Sequence, residues 1–445
     1  MAILTTPFLT LLDSRAAIKG SRDPLGVQPI WSRLGRHVVA NLTTVSNSVR
    51  DFTVLLLGYY FAERVADEGG TDGDLATFLK WEQLAAYARA QVNKERGFRG
   101  TDRVFKRLAD GGRVRLGLDP GAQILGDQKI YGLWGLYTVS AKASGLLEGD
   151  PTRLTPEARE VVEKAILPVI EAQGSRTLRG IVDRLRKPAC ALDPRDAPAD
   201  VAVLRGVAKA LASLRGPERS LYREHLLHGG RGDVDPVRGT QGKQRIFAEL
   251  LEETAQESGW TMTPVSIRSL AVAAGRHGEV GAALAERLER IRAAELLLGP
   301  AAALFEHALA CDAQPLAKVA EGVRAHWRTA FRDTIDVAAT ASLETELRMS
   351  DDATSGRRWV DLAGALHDGR YEEAVQLVLE QNAAVMKARA AAAPWIVVRE
   401  GKVVVRFRDE NLSRLPEADD LRIYWRHSYF IESLRMVARD LRAAS

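Results

Sequence analysis

The chain has 445 residues, length enough for two or three domains, and its 46% hydrophobic and 27% charged content excludes wholesale disorder. Its 62 basic and 58 acidic residues leave a net charge of +4, which by itself does not mark a nucleic-acid binder. Two cysteines, Cys190 and Cys311, exclude a disulfide framework and a four-cysteine zinc site.

The first 13 residues are apolar but have no Lys or Arg ahead of the apolar stretch, unlike a secretory signal, so they are expected to belong to the fold. Residues 33–64 have helical periodicity, as one helix or as two broken near 41–47. The apolar run at 52–62 is too short to span a bilayer and is expected to be a buried helix. A turn-rich segment at 68–74 precedes a helix at 81–91. Thr101 is placed to N-cap a helix through Asp110, with Gly111 and Gly112 stopping it. Residues 113–118 alternate, and residues 124–131 are the expected partner strand. A helix at 137–147 follows. Thr155-Pro156-Glu157 then places a cap, a helix-starting proline and a first-turn acid for a helix to about residue 172.

A helix and a proline-broken connection occupy 174–198, and 199–348 is largely helical apart from the glycine-rich break at 229–242. Thr263-Pro264 opens another helix. Residues 359–387 read as a helical hairpin turning at Asp368-Gly369; one such unit without further copies does not make a repeat array. Alternation at 395–408 around Glu400-Gly401 signals a β-hairpin, and a terminal helix is expected over 420–442. These breaks suggest an N-terminal helical region at 1–70, a domain at 75–172, a helical domain at 175–348 and a C-terminal helical region at 349–445 carrying the hairpin.

Charge is unevenly distributed. Between Ala86 and Arg115 lie nine basic residues against three acidic ones. Arg103, Lys106 and Arg107 share one helix face while Val104, Phe105 and Leu108 supply the other. Arg113 and Arg115 point the same way on a strand. With Arg99, these are the residue types that hold phosphates from a helix and a strand anchored on an apolar side. A second block over 205–245 has nine basic and four acidic residues, with Arg215, Arg219 and Arg223 on one face of a helix. The rest of the chain is net negative. A solvated surface and a protein-partner face remain open alternatives for both blocks.

The order of elements over 81–172, and the phrase Gly145-Leu-Leu running to Leu154-Thr155-Pro156-Glu157, resemble bacterial winged-helix DNA-binding domains. The likeness covers about a fifth of the chain, and Ala158 stands where that family has glycine. It implies a helix in the major groove followed by a β-wing.

No phosphate-binding loop, nucleophile elbow or H-E-x-x-H occurs. His225 and His228 are two ligands at most, and Glu400-Gly401-Lys402 has a nuclease-like spacing without the preceding Pro-Asp. Arg186 and Lys187 stand near Cys190 and are placed to lower its pKa, although a buried or incidental thiol is the default reading for both cysteines. The aromatic runs at 131–137 and 424–430 suit base stacking or plain packing, or for the second a subunit interface.

The expected fold is mainly α, multi-domain, with a winged-helix-like segment and a small C-terminal β-hairpin. The expected function is DNA binding, or RNA binding in its place, by a cytoplasmic accessory subunit with other subunits as partners. No cofactor, metal or membrane partner is expected. Large helical chains without a catalytic motif resemble accessory subunits of bacterial antiviral defence systems. A helical scaffold without nucleic acid, and a nuclease-like enzyme whose site assembles only in three dimensions, are the alternatives.

Overall fold

The computed structural model describes residues 23–70, 73–174, 176–233, 241–254, 259–349, 352–389, 393–407 and 414–443. The expectation for the first 13 residues lies outside them, as does Arg238 of the second basic block. The chain is mainly α-helical, and the strands among the described residues form three two-stranded antiparallel sheets.

Helices α1 (Val27–Arg36) and α2 (Val49–Asp67) divide the stretch at 33–64 in two. Ser48 caps α2 by accepting from the Asp51 N–H. The apolar run lies inside α2 and is buried from Phe52 to Tyr59. No described helix is long and apolar enough to cross a membrane. Helix α3 (Asp74–Gln91) packs along α2 and is followed by α4 (Thr101–Ala109). Gly100, not Thr101, occupies the N-cap of α4, at φ 79°. A side chain there would also come within 2.7 Å of the Ile124 carbonyl, so left-handed geometry and close approach both require glycine.

Strand β1 (Val114–Leu116), α5 (Gln128–Tyr131), α6 (Leu133–Ser144), β2 (Leu147–Glu148), β3 (Arg153–Leu154) and α7 (Pro156–Val161) come next. The expected partner strand at 124–131 is instead a turn and helix α5. A π-helical turn (Val162–Ile166) joins α7 to α8 (Leu167–Glu171), where Pro168 has no N–H to continue the regular ladder. Then follow α9 (Thr177–Leu185), β4 (Cys190–Leu192), α10 (Pro198–Ala212), α11 (Gly216–Tyr222) and α12 (Lys243–Thr254).

Helix α13 (Pro264–Ala274) opens with the capping box of Thr263 and Ser266. It packs on α14 (Gly278–Leu309), 32 residues long and buried continuously from Ala293 to Phe305. Helices α15 (Leu316–Trp327), α16 (Val337–Ala341), α17 (Ser355–His367) and α18 (Tyr371–Ala388) follow, the last two forming the expected helical hairpin. Strands β5 (Ile396–Arg399) and β6 (Lys402–Val405) form the C-terminal hairpin. Its two turn residues, Glu400 and Gly401, both have positive φ, as a tight twisted hairpin requires. The terminal helix is shorter than expected: α19 spans Ile431–Ala443. Tyr429 and Phe430 stand at φ 45° and 62°, which breaks the helical path before it.

The chain gathers into two compact units. The first comprises Met1–Val38 and Gly259–Tyr429; the second comprises Val39–Ser258 and Phe430–Ser445. In the first, the core includes Trp327, Trp359 and Tyr371, all fully buried. In the second it centres on α2 and α3, where Tyr59, Phe61, Phe78, Trp81 and Trp134 pack ring against ring. The Trp81 indole N–H donates to the Val54 carbonyl at 2.8 Å, so this large ring is buried without an unpaired donor.

Candidate nucleic-acid interface

The basic cluster of the second unit is built on a ribbon that local sequence does not reveal. Strand β1 pairs antiparallel with β4, matching Val114 to Leu192, Arg115 to Ala191 and Leu116 to Cys190. Val114, Leu116 and Leu192 are buried, so the ribbon's inner face is apolar. Its outer face carries Arg115 opposite the small Ala191. Arg113 lies one repeat earlier, with its side chain 75% exposed. Arg186 and Lys187, both exposed, lie in the segment leading into β4.

Acidic groups around these cations are already engaged. Asp193 lies 3.9 Å from Arg113, accepts from the N–H groups of Arg195 and Asp196, and those backbone bonds hold its carboxyl below the usual range. Asp119 accepts from Arg115 at 3.2 Å and from the Ala122 N–H. Asp102 and Asp110 of the α4 region remain exposed. Ion pairs this open to water are worth about 1 kcal/mol or less, so phosphates can displace them.

A buried polar network fixes the loop between α3 and α4. Arg89 of α3 donates to Asp51 of α2 at 2.7 Å and grips both oxygens of Glu95, at 3.0 and 2.6 Å. Burial opposes the guanidinium's charge, but the two carboxylates hold its pKa above the ordinary value. Its cation also stands 4.9 Å over the Phe98 ring. The loop pinned in this way carries Lys94, Arg96 and Arg99, and Arg96 lies 4.4 Å over the Phe105 ring of α4.

Beside this network sits Glu82, fully buried on α3. One oxygen accepts from the Leu133 N–H at 2.8 Å, the other from Gln128 Nε2 at 2.8 Å. Burial pushes its carboxyl up to about 7. The folded chain therefore keeps a proton that the unfolded chain releases between about pH 4.3 and 7. Stability from this group falls as pH rises through that window, by on the order of 3 kcal/mol across it. Urea midpoints at pH 5 and pH 7.5 should show this decline. The Glu82→Gln variant should lose that part of the slope; an unchanged slope would refute the assignment.

The arginines expected from sequence have different fates. Arg103 is exposed and donates to the Gln123 carbonyl at 3.0 Å, while Lys106 is exposed. Arg107 is spent internally: it donates to the carbonyls of Ala122 and Gln123 and to the Tyr87 hydroxyl, tying the 118–123 turn to α4. Arg99 is half-buried and lines a small cavity with Asp51, Glu82 and Phe98. In the second block, Arg215 donates to the carbonyls of Lys209, Ala210 and Ser213 and so closes the end of α10. Arg223 grips both oxygens of Glu252, at 2.9 and 3.0 Å. Arg219 is half-buried, its Nε without a hydrogen-bond partner among the described residues. Arg113 and Arg115 stay exposed at the ribbon, each in an open ion pair, and Arg186 and Lys187 are exposed ahead of β4. The pairing of β1 with β4 also replaces the wing expected from residues 113–118 and 124–131.

Searches against protein-family models, curated proteins and solved structures find no match for this chain.

After α6, residues 145–157 form the short hairpin of β2 with β3 and the first residues of α7. Thr155 does not cap α7 with its side chain; its hydroxyl donates to the Gly145 and Leu146 carbonyls, closing the hairpin base. The helix ahead of that hairpin shows solvent Gly135, Val139 and Lys142 rather than a basic face. In the aromatic run, Trp134 stacks on Tyr59, and Tyr137 is buried with its hydroxyl on Asp51. Only Tyr131 of the three aromatics is open, at 59% exposure.

Cys311 Sγ lies 3.7 Å from His307 Nε2, where burial holds the histidine below its ordinary pKa. Among the described residues no group of three or more His, Cys, Asp or Glu is placed to hold a metal ion. Burial raises the Cys190 thiol's pKa more than Lys187 and Arg184 lower it, which does not favour a thiolate there. Burial likewise raises Cys311.

Proposed function

We propose that this protein binds the phosphate backbone of DNA, or of RNA in its place, through the β1–β4 ribbon of its second unit, as a non-catalytic accessory subunit of a multi-protein bacterial system such as an antiviral defence assembly. The observation that carries this reading is that Arg113 and Arg115 share the outer face of one two-stranded ribbon, with Arg186 and Lys187 exposed in the segment that leads into its second strand. The apolar inner face anchors the ribbon, and the small Ala191 leaves room beside Arg115 for a phosphate. Such contacts position a duplex without reading its sequence. Lys106 and Arg103 extend the same charge along α4.

Anisotropy of a labelled random-sequence duplex tests it. Affinity should fall steeply between about 50 and about 200 mM salt as counterions are displaced. Combined replacement of Arg113, Arg115 and Lys187 by alanine should weaken binding alike for all sequences and lower the salt slope by about 1 per cation removed. Arg215→Ala and Arg223→Ala should leave the slope unchanged, because those guanidiniums are held by internal acceptors. Absence of duplex and single-strand binding at low salt overturns the proposal.

One observation favours a partner-protein face on the same unit. Ile130, Tyr131 and Val139 are 52%, 59% and 68% exposed on the adjoining helices α5 and α6. Apolar side chains open to water on neighbouring helices suit contact with another subunit.

A further inference from the structure

The first unit contains a cleft of about 350 Å³ lined by three arginines, Arg268 of α13, Arg292 of α14 and Arg422, with one carboxylate, Asp333. We propose that this cleft binds a small organic phosphate, with the phosphate among the guanidiniums and the organic part against the apolar wall. This is a different site from the ribbon and does not depend on nucleic-acid binding there.

The charge is available. Arg268 is exposed and makes no hydrogen bond or ion pair among the described residues. Arg292 is four-fifths covered and uses its Nε on Glu289, at 2.7 Å. That bond occupies one edge of a guanidinium that has five donors. Arg422 meets Asp333 at 3.3 Å, with both side chains about two-thirds exposed or more. A pair so open holds weakly and yields to a stronger anion. Planar guanidiniums grip phosphate oxygens two at a time, which three lysines would not do.

The wall explains why the ligand is organic rather than bare phosphate. Pro264, Val265 and Leu296 line the same cleft, and Val265 is 57% exposed. The volume is at the lower end of small-molecule sites and fits a nucleoside monophosphate in size. The start of α13 adds a favourable field: its first turn has no acidic residue, so the positive end of an 11-residue helix dipole faces the site unopposed.

Calorimetry on the full chain with AMP as probe tests the proposal, with inorganic phosphate and adenosine as comparison arms. AMP should bind to one site, inorganic phosphate more weakly, and adenosine weakest. Arg268→Ala should reduce AMP affinity about tenfold or more, and because that side chain is exposed and unbonded, the fold should be unaffected. Asp333→Asn should tighten AMP binding, since it removes the carboxylate that competes for Arg422. Equal binding of adenosine and AMP, or AMP affinity unchanged in Arg268→Ala, overturns the proposal. So does weaker binding in Asp333→Asn.

Discussion

Replacing Arg89 with alanine is expected to destabilise the second unit by roughly 3–5 kcal/mol, the range seen when one partner of a buried ion pair is removed. Arg89 is 6% exposed at its side chain and serves two carboxylates. Its loss leaves Asp51, 8% exposed, as a buried anion with the Tyr137 hydroxyl, at 3.3 Å, as its remaining side-chain hydrogen-bond partner among the described residues. Glu95 has more access to water and suffers less. Urea unfolding followed by tryptophan fluorescence checks this directly, because Trp81 and Trp134 lie in the same unit. Asp51→Asn in the Arg89→Ala background should restore part of the loss by removing the stranded charge. A midpoint shift no larger than that of Arg113→Ala, which is exposed and expected within about 0.5 kcal/mol of wild type, would refute the account.

Replacing Glu295 with alanine is expected to be as costly to the first unit, again roughly 3–5 kcal/mol. This carboxylate is fully buried in α14. One oxygen accepts from the N–H groups of Arg426 and His427 at 2.5 and 3.1 Å; the other meets His427 Nδ1 at 2.8 Å and accepts from the Tyr429 hydroxyl at 2.9 Å. Alanine strands all of these groups away from water at once. Around them Trp31 stacks on His427 and meets Tyr429 edge-on, so the rings have little room to move toward solvent. Glu295→Gln keeps one acceptor oxygen for the two backbone donors, and the histidine tautomer and tyrosine hydroxyl can adjust to its amide. Its cost should be about 1–3 kcal/mol, that of one poorly satisfied buried group. Denaturant unfolding of the two variants side by side decides the matter; equal losses in both would show that packing, not the hydrogen-bond set, dominates.

The two networks show why part of this protein was readable and part was not. The buried run at 52–62 and the capped helix at Thr263-Pro264 follow from local rules. So do the helical hairpin turning at Gly369 and the β-hairpin turning at Glu400-Gly401. Each depends on residues a few positions apart. The aromatic segment at 424–430 reads as packing or a subunit interface ahead of base stacking, and local sequence does not choose between those two. Only the position of Glu295, far away in the chain, makes it a buried set of donors. The same limit applied to the strands. Residues 124–131 looked like the nearest partner for 113–118, but Asp127 caps a helical turn by accepting from the Ile130 N–H, and β4 supplies the pairing instead. Arg215, Arg219 and Arg223 show the corresponding limit for charge. Their helical spacing predicts a common basic face, yet Arg215 closes one helix end and Arg223 is gripped by Glu252.

The sequence by itself determined that the chain is mainly helical, where several of its turns fall, and that positive charge is concentrated in two blocks. These are short-range properties, set by backbone propensity, helical periodicity and turn chemistry. The tertiary structure decided which cations remain free. A guanidinium looks the same in sequence whether its partner is a carbonyl, a carboxylate or water, and that partner is often remote in the chain. Folding spent Arg107, Arg215 and Arg223 on internal acceptors. By pairing β1 with β4, it put Arg113 and Arg115 on the outer face of a ribbon whose second strand follows Arg186 and Lys187.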